Sequence, residues 1–373
     1  MTKREELLAC IDGRSVGAAL FSPLVDSLFS ASVMGKEWVS EVTLDDQIGT
    51  AARCGYHPMF VQGMTPDLSV HPALDLEIVM TAESARERSF TQTLNTPKGS
   101  LSRTMLDRAG EGMTGLGNWV NGVEDLDIVD WISDGIVAGD RDEAILAKYG
   151  AIAAKLSPWG ATEIQVELPY FLYGLGGFAD VPIMMLLTET ERFQASMEKA
   201  EKAIDRICAL LIRAGIDFIW IGSPGTELIS PDIMREVIIP QSRRLVEAVH
   251  ARKGRVHFHC CGQSKLWIES GFFNEIGMDL VETLAPPPSG TVDDLRKARS
   301  SIDRSIVTKG NIDLGLLLEG NPEACAAATR EVLDATAGYP HIVGAADAIL
   351  YGTPEENVRA VEAVCRQARK VRA

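Results

Sequence analysis

Two of the chain's six histidines and two of its seven cysteines fall within five positions, in "RVHFHCCGQS" (255–264). Imidazole and thiolate are the side chains that most readily grip a zinc-like cation. The same residues packed in a core would be only a satisfied ring and a small apolar thiol. Strand parity bears on the choice. Successive side chains alternate faces, so His257, His259 and Cys261 share one side and Phe258 and Cys260 the other. Phe258 and Cys260 suit a face covered by helices. His257, His259 and Cys261 then point the opposite way, with Cys261 nearest the strand end and Gly262 letting the chain turn away sharply. Residues two apart on one face lie about 7 Å apart. An ion with ligand bonds of roughly 2.0–2.3 Å can therefore be held by His259 and Cys261 if the strand end curls. His257 sits one layer deeper, where it can hydrogen-bond groups behind the ligands.

A catalytic zinc usually takes three protein ligands and keeps one position open. Carboxylates at the same height supply candidates for the third. Asp347 follows "HIVGAA", Glu282 ends "MDLVE", Glu227 lies in the loop after "IWIG", and Glu167 ends "EIQVE". Glu227 or Asp347 could instead cap a helix, and Glu167 could pair with an arginine. Asn311, in "KGNID", reads as a polar liner of the pocket. The candidate metal ligands are thus His259, Cys261, Asp347 and Glu282. His259, Asp347 and Glu227 are the candidate catalytic groups, and Asn311, His257 and Glu167 the candidate cofactor-binding ones.

Placing these side chains together requires a particular succession of elements. From about residue 160 the chain alternates β-rich runs, "TEIQVEL" (162–168), "IDFIWIG" (216–222), "RVHFHC" (255–260), "MDLVETL" (278–284), "SIVTKGN" (305–311) and "HIVGAA" (341–346), with helical stretches such as 191–215 and 230–254. Ser230 followed by Pro231, and Thr353 followed by Pro354, read as helix starts. Such alternation implies parallel strands joined by helical crossovers. With two upstream candidates, "GAALFSP" (17–23) and "PMFVQG" (58–63), the count reaches the eight of a (β/α)8 TIM barrel, whose active sites lie at the C-terminal ends of the strands. A doubly wound open sheet competes, but no dinucleotide fingerprint supports it. "GEGMTG" (110–115) has the glycine spacing without a preceding buried strand, and reads as a loop. Residues 75–105 break the alternation. They read as an inserted antiparallel hairpin turned at Pro97 and Gly99, on a single barrel domain covering 1–373.

Composition narrows the functional classes. Apolar residues make up 46% of the chain, enough for a large core, and the formal charge of −16 with no basic stripe argues against nucleic acid. The charged start "MTKREELLACIDGRS" lacks the apolar core of a signal peptide, and no run approaches the roughly 20 apolar residues of a membrane span. Seven scattered cysteines do not form a disulfide framework, so a cytoplasmic protein is expected.

"HFHCCGQS", "GNIDLGLLLEGNPE" (310–323) and "GTPEENVRAVEAV" (352–364), spaced as here, resemble the uroporphyrinogen decarboxylase superfamily over about residues 195–370. The resemblance implies a (β/α)8 barrel and one of two activities. Cofactor-free decarboxylases of the family grip their substrate with an R-Q-A-G-R-Y motif. Zinc-dependent methyltransferases carry H-x-C-G, as His259-Cys260-Cys261-Gly262 stands here, and work with methylated corrinoid proteins. The region 17–30 contains no arginine, so the methyltransferase branch is expected, with the metal-free lyase as alternative. Thiol-methylating members place a cysteine ligand six residues before the late "TP". Here that position is Asp347. Oxygen in place of sulfur makes a stronger Lewis acid and opens ether or amine donors, not only thiol acceptors, as reactants. No D-x-H-x-x-G corrinoid signature occurs, so the corrinoid is expected on a partner protein, with a small-molecule methyl donor or acceptor.

Overall fold

The computed structural model describes residues 1–14, 19–25, 27–63, 75–170, 180–222 and 228–372. Its strands, among the described residues, are β1 (Met59–Gly63), β2 (Asp75–Glu83), β3 (Glu87–Thr96), β4 (Gly99–Arg108), β5 (Gly112–Leu116), β6 (Ala161–Gln165), β7 (Phe218–Ile221), β8 (Val256–Cys260), β9 (Leu280–Thr283), β10 (Val307–Ile312) and β11 (His341–Ala345). The chain forms two compact units. One contains Met1–Val61, Ala154–Glu163 and Val256–Ala373; the other contains Gln62–Ala153 and Ile164–Arg255.

In the first unit β8, β9, β10 and β11 pair side by side in parallel. The expected first strand, around 17–23, is reduced within the described residues to a parallel bridge between Phe21 and Val343. Its backbone bonds are Ser22 N to Val343 O at 2.8 Å and Val343 N to Leu20 O at 2.9 Å. Phe21 O in turn accepts from His57 N at 2.8 Å, and Pro58 O from Ala161 N at 3.0 Å. The remaining candidates of the alternating series form as strands, so the architecture is α/β with parallel pairing, as the pattern predicts.

The helix-facing side of β8 behaves as parity requires. Phe258 lies 6.0 Å, centroid to centroid, from both Phe272 and Phe273 and 6.3 Å from Trp267. All four rings are buried. At the far edge of the same unit Arg299 is wholly buried, donating to the carbonyls of Ile302 at 2.7 Å, Ile306 at 2.9 Å and Pro340 at 3.3 Å. Burial lowers its pKa to about 10, which leaves it charged at neutral pH.

In the second unit β2, β3, β4 and β5 form an antiparallel sheet in that order. The expected insertion is therefore larger than a hairpin. Its central turn is at Pro97 and Lys98, where Thr96 Oγ1 accepts from Lys98 N at 3.1 Å and donates to Gly99 O at 2.8 Å. "GEGMTG" is not a free loop: its last four residues open β5, which pairs with β4 through Arg108 and Gly112. Helix Thr190–Arg213 shows the apolar stripe that predicted it, burying Phe193, Met197, Ala200, Ile204, Ile207 and Leu211.

Two helix starts differ in detail. Ser230 caps as expected, accepting from Ile233 N at 3.2 Å. The helix then passes through a π-turn, Met234–Ile238, before resuming as Ile239–Ala251. Pro240, which has no N–H to donate back along the helix, stands just beyond that wider turn. Thr353 does not cap the last helix. Its hydroxyl is buried without a hydrogen bond, and the turn opens with Asn357 N donating to Pro354 O at 3.1 Å before helix Glu355–Arg372. All seven cysteines are free thiols, and among the described residues no helix is long and apolar enough to cross a membrane.

His341 links β11 to β10 through its side chain. Nε2–H donates to Gly310 O at 2.9 Å, and Nδ1 lies 2.8 Å from Thr308 Oγ1, whose hydroxyl can donate to the neutral ring. Burial lowers its pKa from 6.5 to about 3; the bond to Gly310 opposes the shift and the Arg299 charge adds to it. The stabilisation from the neutral ring is complete above the unfolded value of about 6.5 and is lost as pH falls toward about 3. This one proton contributes a slope of about 1.4 kcal/mol per pH unit. Urea unfolding between pH 7 and pH 4 should show wild-type stability falling with acid and a shallower slope in His341→Gln. Equal slopes would refute this assignment.

Candidate metal centre

The site is built on the ends of parallel strands in the first unit. Register places His259 opposite Glu282, and Glu282 opposite Lys309, on three adjacent strands. Side chains at matched positions of neighbouring parallel strands share a face, so the three form a row. Glu282 joins its ends: Oε1 lies 3.0 Å from His259 Nδ1 and Oε2 lies 2.7 Å from Lys309 Nζ. One layer below, His257 Nδ1 meets Glu163 Oε1 at 2.8 Å, and His257 Nε2 lies 3.5 Å from Glu282 Oε1. The side chains of Glu163 and His257 are fully buried, and those of Glu282 and Lys309 are 1% exposed.

Above this row the chain leaves β8 through Gly262, at φ 68°, a conformation that glycine adopts without strain. There the nitrogen, sulfur and oxygen donors of His259, Cys261 and Asp347 come within 4.8 Å of one another. His259 Nε2 lies 3.8 Å from Asp347 Oδ1, which also accepts from Ala348 N at 2.7 Å. Around one ion with bonds of roughly 2.0–2.3 Å, opposed donors stand at most about 4–4.6 Å apart. A small contraction of this corner would accommodate an ion. The donor set, one nitrogen, one sulfur and one oxygen, is of the kind zinc accepts.

The electrostatics follow from the buried carboxylate. Burial alone would favour a neutral Glu282. The Lys309 ammonium, His257 and the bond to His259 outweigh it and hold that carboxyl well below the usual range. Burial likewise opposes charge on His259. Hydrogen bonds with Cys261 and Glu282, and the charges of Glu282 and Asp347, reverse the balance and raise the ring's pKa to about 10.

The structure sorts the sequence candidates. His259, Cys261 and Asp347 are brought together, and His257 lies beneath them as parity predicts. Glu282 stands outside the group of three, on the Nδ1 side of His259. Asn311 is buried and donates through Nδ2 to Leu284 O at 2.9 Å. Glu167 belongs to the second unit, where it accepts from the Gln165 side chain. Glu227 lies outside the described residues. Sequence reasoning passed over Glu163 and Lys309. Each is a charged residue at an inward position of an apolar strand run, "ATEIQVEL" and "SIVTKGN", which was the available signal.

Residues 176–368 match the family model described as uroporphyrinogen decarboxylase (URO-D). The methylated-thiol–coenzyme M methyltransferase of Methanosarcina mazei is 27% identical over 184 residues, 48% of this chain and 46% of that protein. The chain thus matches about half the length of this curated relative. A solved methyltransferase from Methanosarcina mazei has the same fold, with a TM-score of 0.70 over 98% of this chain and 99% of its own at 17% identity.

An ion that binds through His259 Nε2 must displace the proton held there up to about pH 10. Between pH 6 and pH 8 apparent zinc affinity should therefore rise about tenfold per pH unit from this proton alone. Chelator competition at several pH values would measure the slope; an affinity independent of pH would exclude His259 as a ligand.

Proposed function

Because the chain belongs to the uroporphyrinogen decarboxylase family, we propose that it is a zinc-dependent methyltransferase that exchanges a methyl group between a small molecule and a corrinoid carried by a separate protein. The observation that supports this reading most directly is the convergence of His259, Cys261 and Asp347 at strand ends. The relatives named above, themselves methyltransferases, point the same way. In this reading the whole chain is one cytoplasmic barrel domain, with Leu20–Ser22 in the place of its first strand.

His259, Cys261 and Asp347 would hold the ion. Bound zinc would supply Lewis acidity, either lowering the pKa of an acceptor thiol or polarising the oxygen of a methoxy donor. The chain's own residues do the rest. Glu282 fixes the His259 ring through Nδ1, so that Nε2 faces Asp347. Asp347, whose side chain is 35% exposed, forms the accessible wall of the corner, while His259 closes its buried side at 10%. A carboxylate donates less electron density than a second thiolate would, which favours reactants needing a stronger electrophilic partner. The difficult methyl chemistry belongs to the corrinoid, and the protein contributes orientation and charge stabilisation.

Purified protein should contain about one zinc per chain and lose it in His259→Ala and in Cys261→Ala. With zinc present it should demethylate methylcobalamin, used as a surrogate for the corrinoid protein, in the presence of some member of a panel of thiols. In the reverse direction it should methylate cob(I)alamin from methoxy or methylamine compounds. Asp347→Ala should reduce either rate by roughly 10-fold to 100-fold or more. Full activity without metal, or anaerobic conversion of uroporphyrinogen to coproporphyrinogen, would replace this reading with the metal-free lyase.

A further inference from the structure

Lys309 is the least expected member of the site. It stands in mid-strand, its side chain is 1% exposed, and its ammonium lies 2.7 Å from Glu282 Oε2. Replacing a buried ion pair with well-packed apolar side chains is often neutral or stabilising, so stability alone does not account for one here. The neighbouring strand accommodates the lysine. A Cβ on Gly344 would stand 3.1 Å from Lys309 Cγ, 3.2 Å from Gly310 N and 3.3 Å from Ser22 O. The lysine stem thus runs where β11 carries no side chain.

The row geometry gives the pair a use. Glu282 spends one oxygen on Lys309 and turns the other to His259 Nδ1 at 3.0 Å. A carboxylate anchored at both oxygens cannot rotate without breaking an ion pair or releasing the imidazole. We propose that Lys309 is a positioning residue of the metal centre: by anchoring Glu282 it fixes the His259 ring with Nε2 toward Cys261 and Asp347. Gly344 serves the same arrangement by leaving room for the lysine stem. This inference rests on the metal-centre reading above and extends it to two residues outside the group of His259, Cys261 and Asp347.

The test uses metal alone. The metal-free full-length chain is titrated with Co2+, whose visible absorption reports ligand geometry, and Zn2+ affinity is measured by competition with a chromophoric chelator. Lys309→Met, folded as judged by circular dichroism, should bind both ions roughly 10- to 100-fold more weakly and show an altered Co2+ d–d spectrum. Lys309→Met combined with Glu282→Gln should recover most of the affinity. The glutamine carbonyl still accepts from Nδ1, and no unpaired charge remains buried. If Lys309→Met does not fold, Gly344→Ala carries the same readout with all charges retained, since its methyl presses on the lysine stem. Affinity within twofold of wild type and an unchanged Co2+ spectrum in the lysine variant, or in Gly344→Ala where that variant stands in, would overturn the proposal. Wild-type binding indifferent to His259→Ala and Cys261→Ala would instead overturn the metal-centre reading, and this inference with it.

Discussion

One carboxylate, buried where no water can solvate it, organises the site. Glu282 stays ionised because a cation and two imidazoles surround it, Lys309 and His259 at matched positions of the neighbouring strands and His257 one layer below. Removing any one partner would leave a charge in a low-dielectric interior, where the penalty reaches several kcal/mol. The parallel register of β8, β9 and β10 is therefore an electrostatic requirement as well as a consequence of backbone pairing. A one-residue slip of any one of these strands would turn its member of the row to the opposite face. The row in turn fixes the orientation of the only imidazole among the candidate ligands.

The scaffold around the row is correspondingly stiff. On the covered side of β8 the rings of Phe258, Trp267, Phe272 and Phe273 fill the space between strand and helices. Such a cluster gains from edge-to-face contacts beyond its buried area. Arg299 and His341 tie the next strands with side-chain bonds to backbone carbonyls. These contacts lie away from the exposed corner formed by Cys261 and Asp347, so the polar donors are placed by apolar packing behind them and by charge beneath them.

Much of this was legible in the residues. Alternation along "RVHFHC" assigned Phe258 to one side and His257 with His259 to the other because a strand has only two faces. The spacing of "TP" singled out Asp347 through a family resemblance rather than through physics. What the sequence withheld was pairing across strands. That Glu282 pairs with both His259 and Lys309 depends on register between segments more than twenty residues apart. Local patterning does not encode that. Within the described residues of the first run, Phe21 bridges Val343 and accepts from His57 N, contacts that likewise depend on segments distant in sequence. Glu167, in the second unit, follows its strand by two residues as Asp347 follows β11, and a linear reading could not distinguish them.

The π-turn at Met234–Ile238 has a consequence for how the length of this segment can vary. An α-helix advances about 100° per residue, so one residue accommodated in a wider loop of backbone leaves the flanking turns with their azimuths unchanged. Shortening the chain by one residue there would relax the bulge into ordinary winding. The capped start at Ser230 would keep its bearing around the axis. The bulge thus lets the segment keep an additional residue while both of its ends keep their bearings.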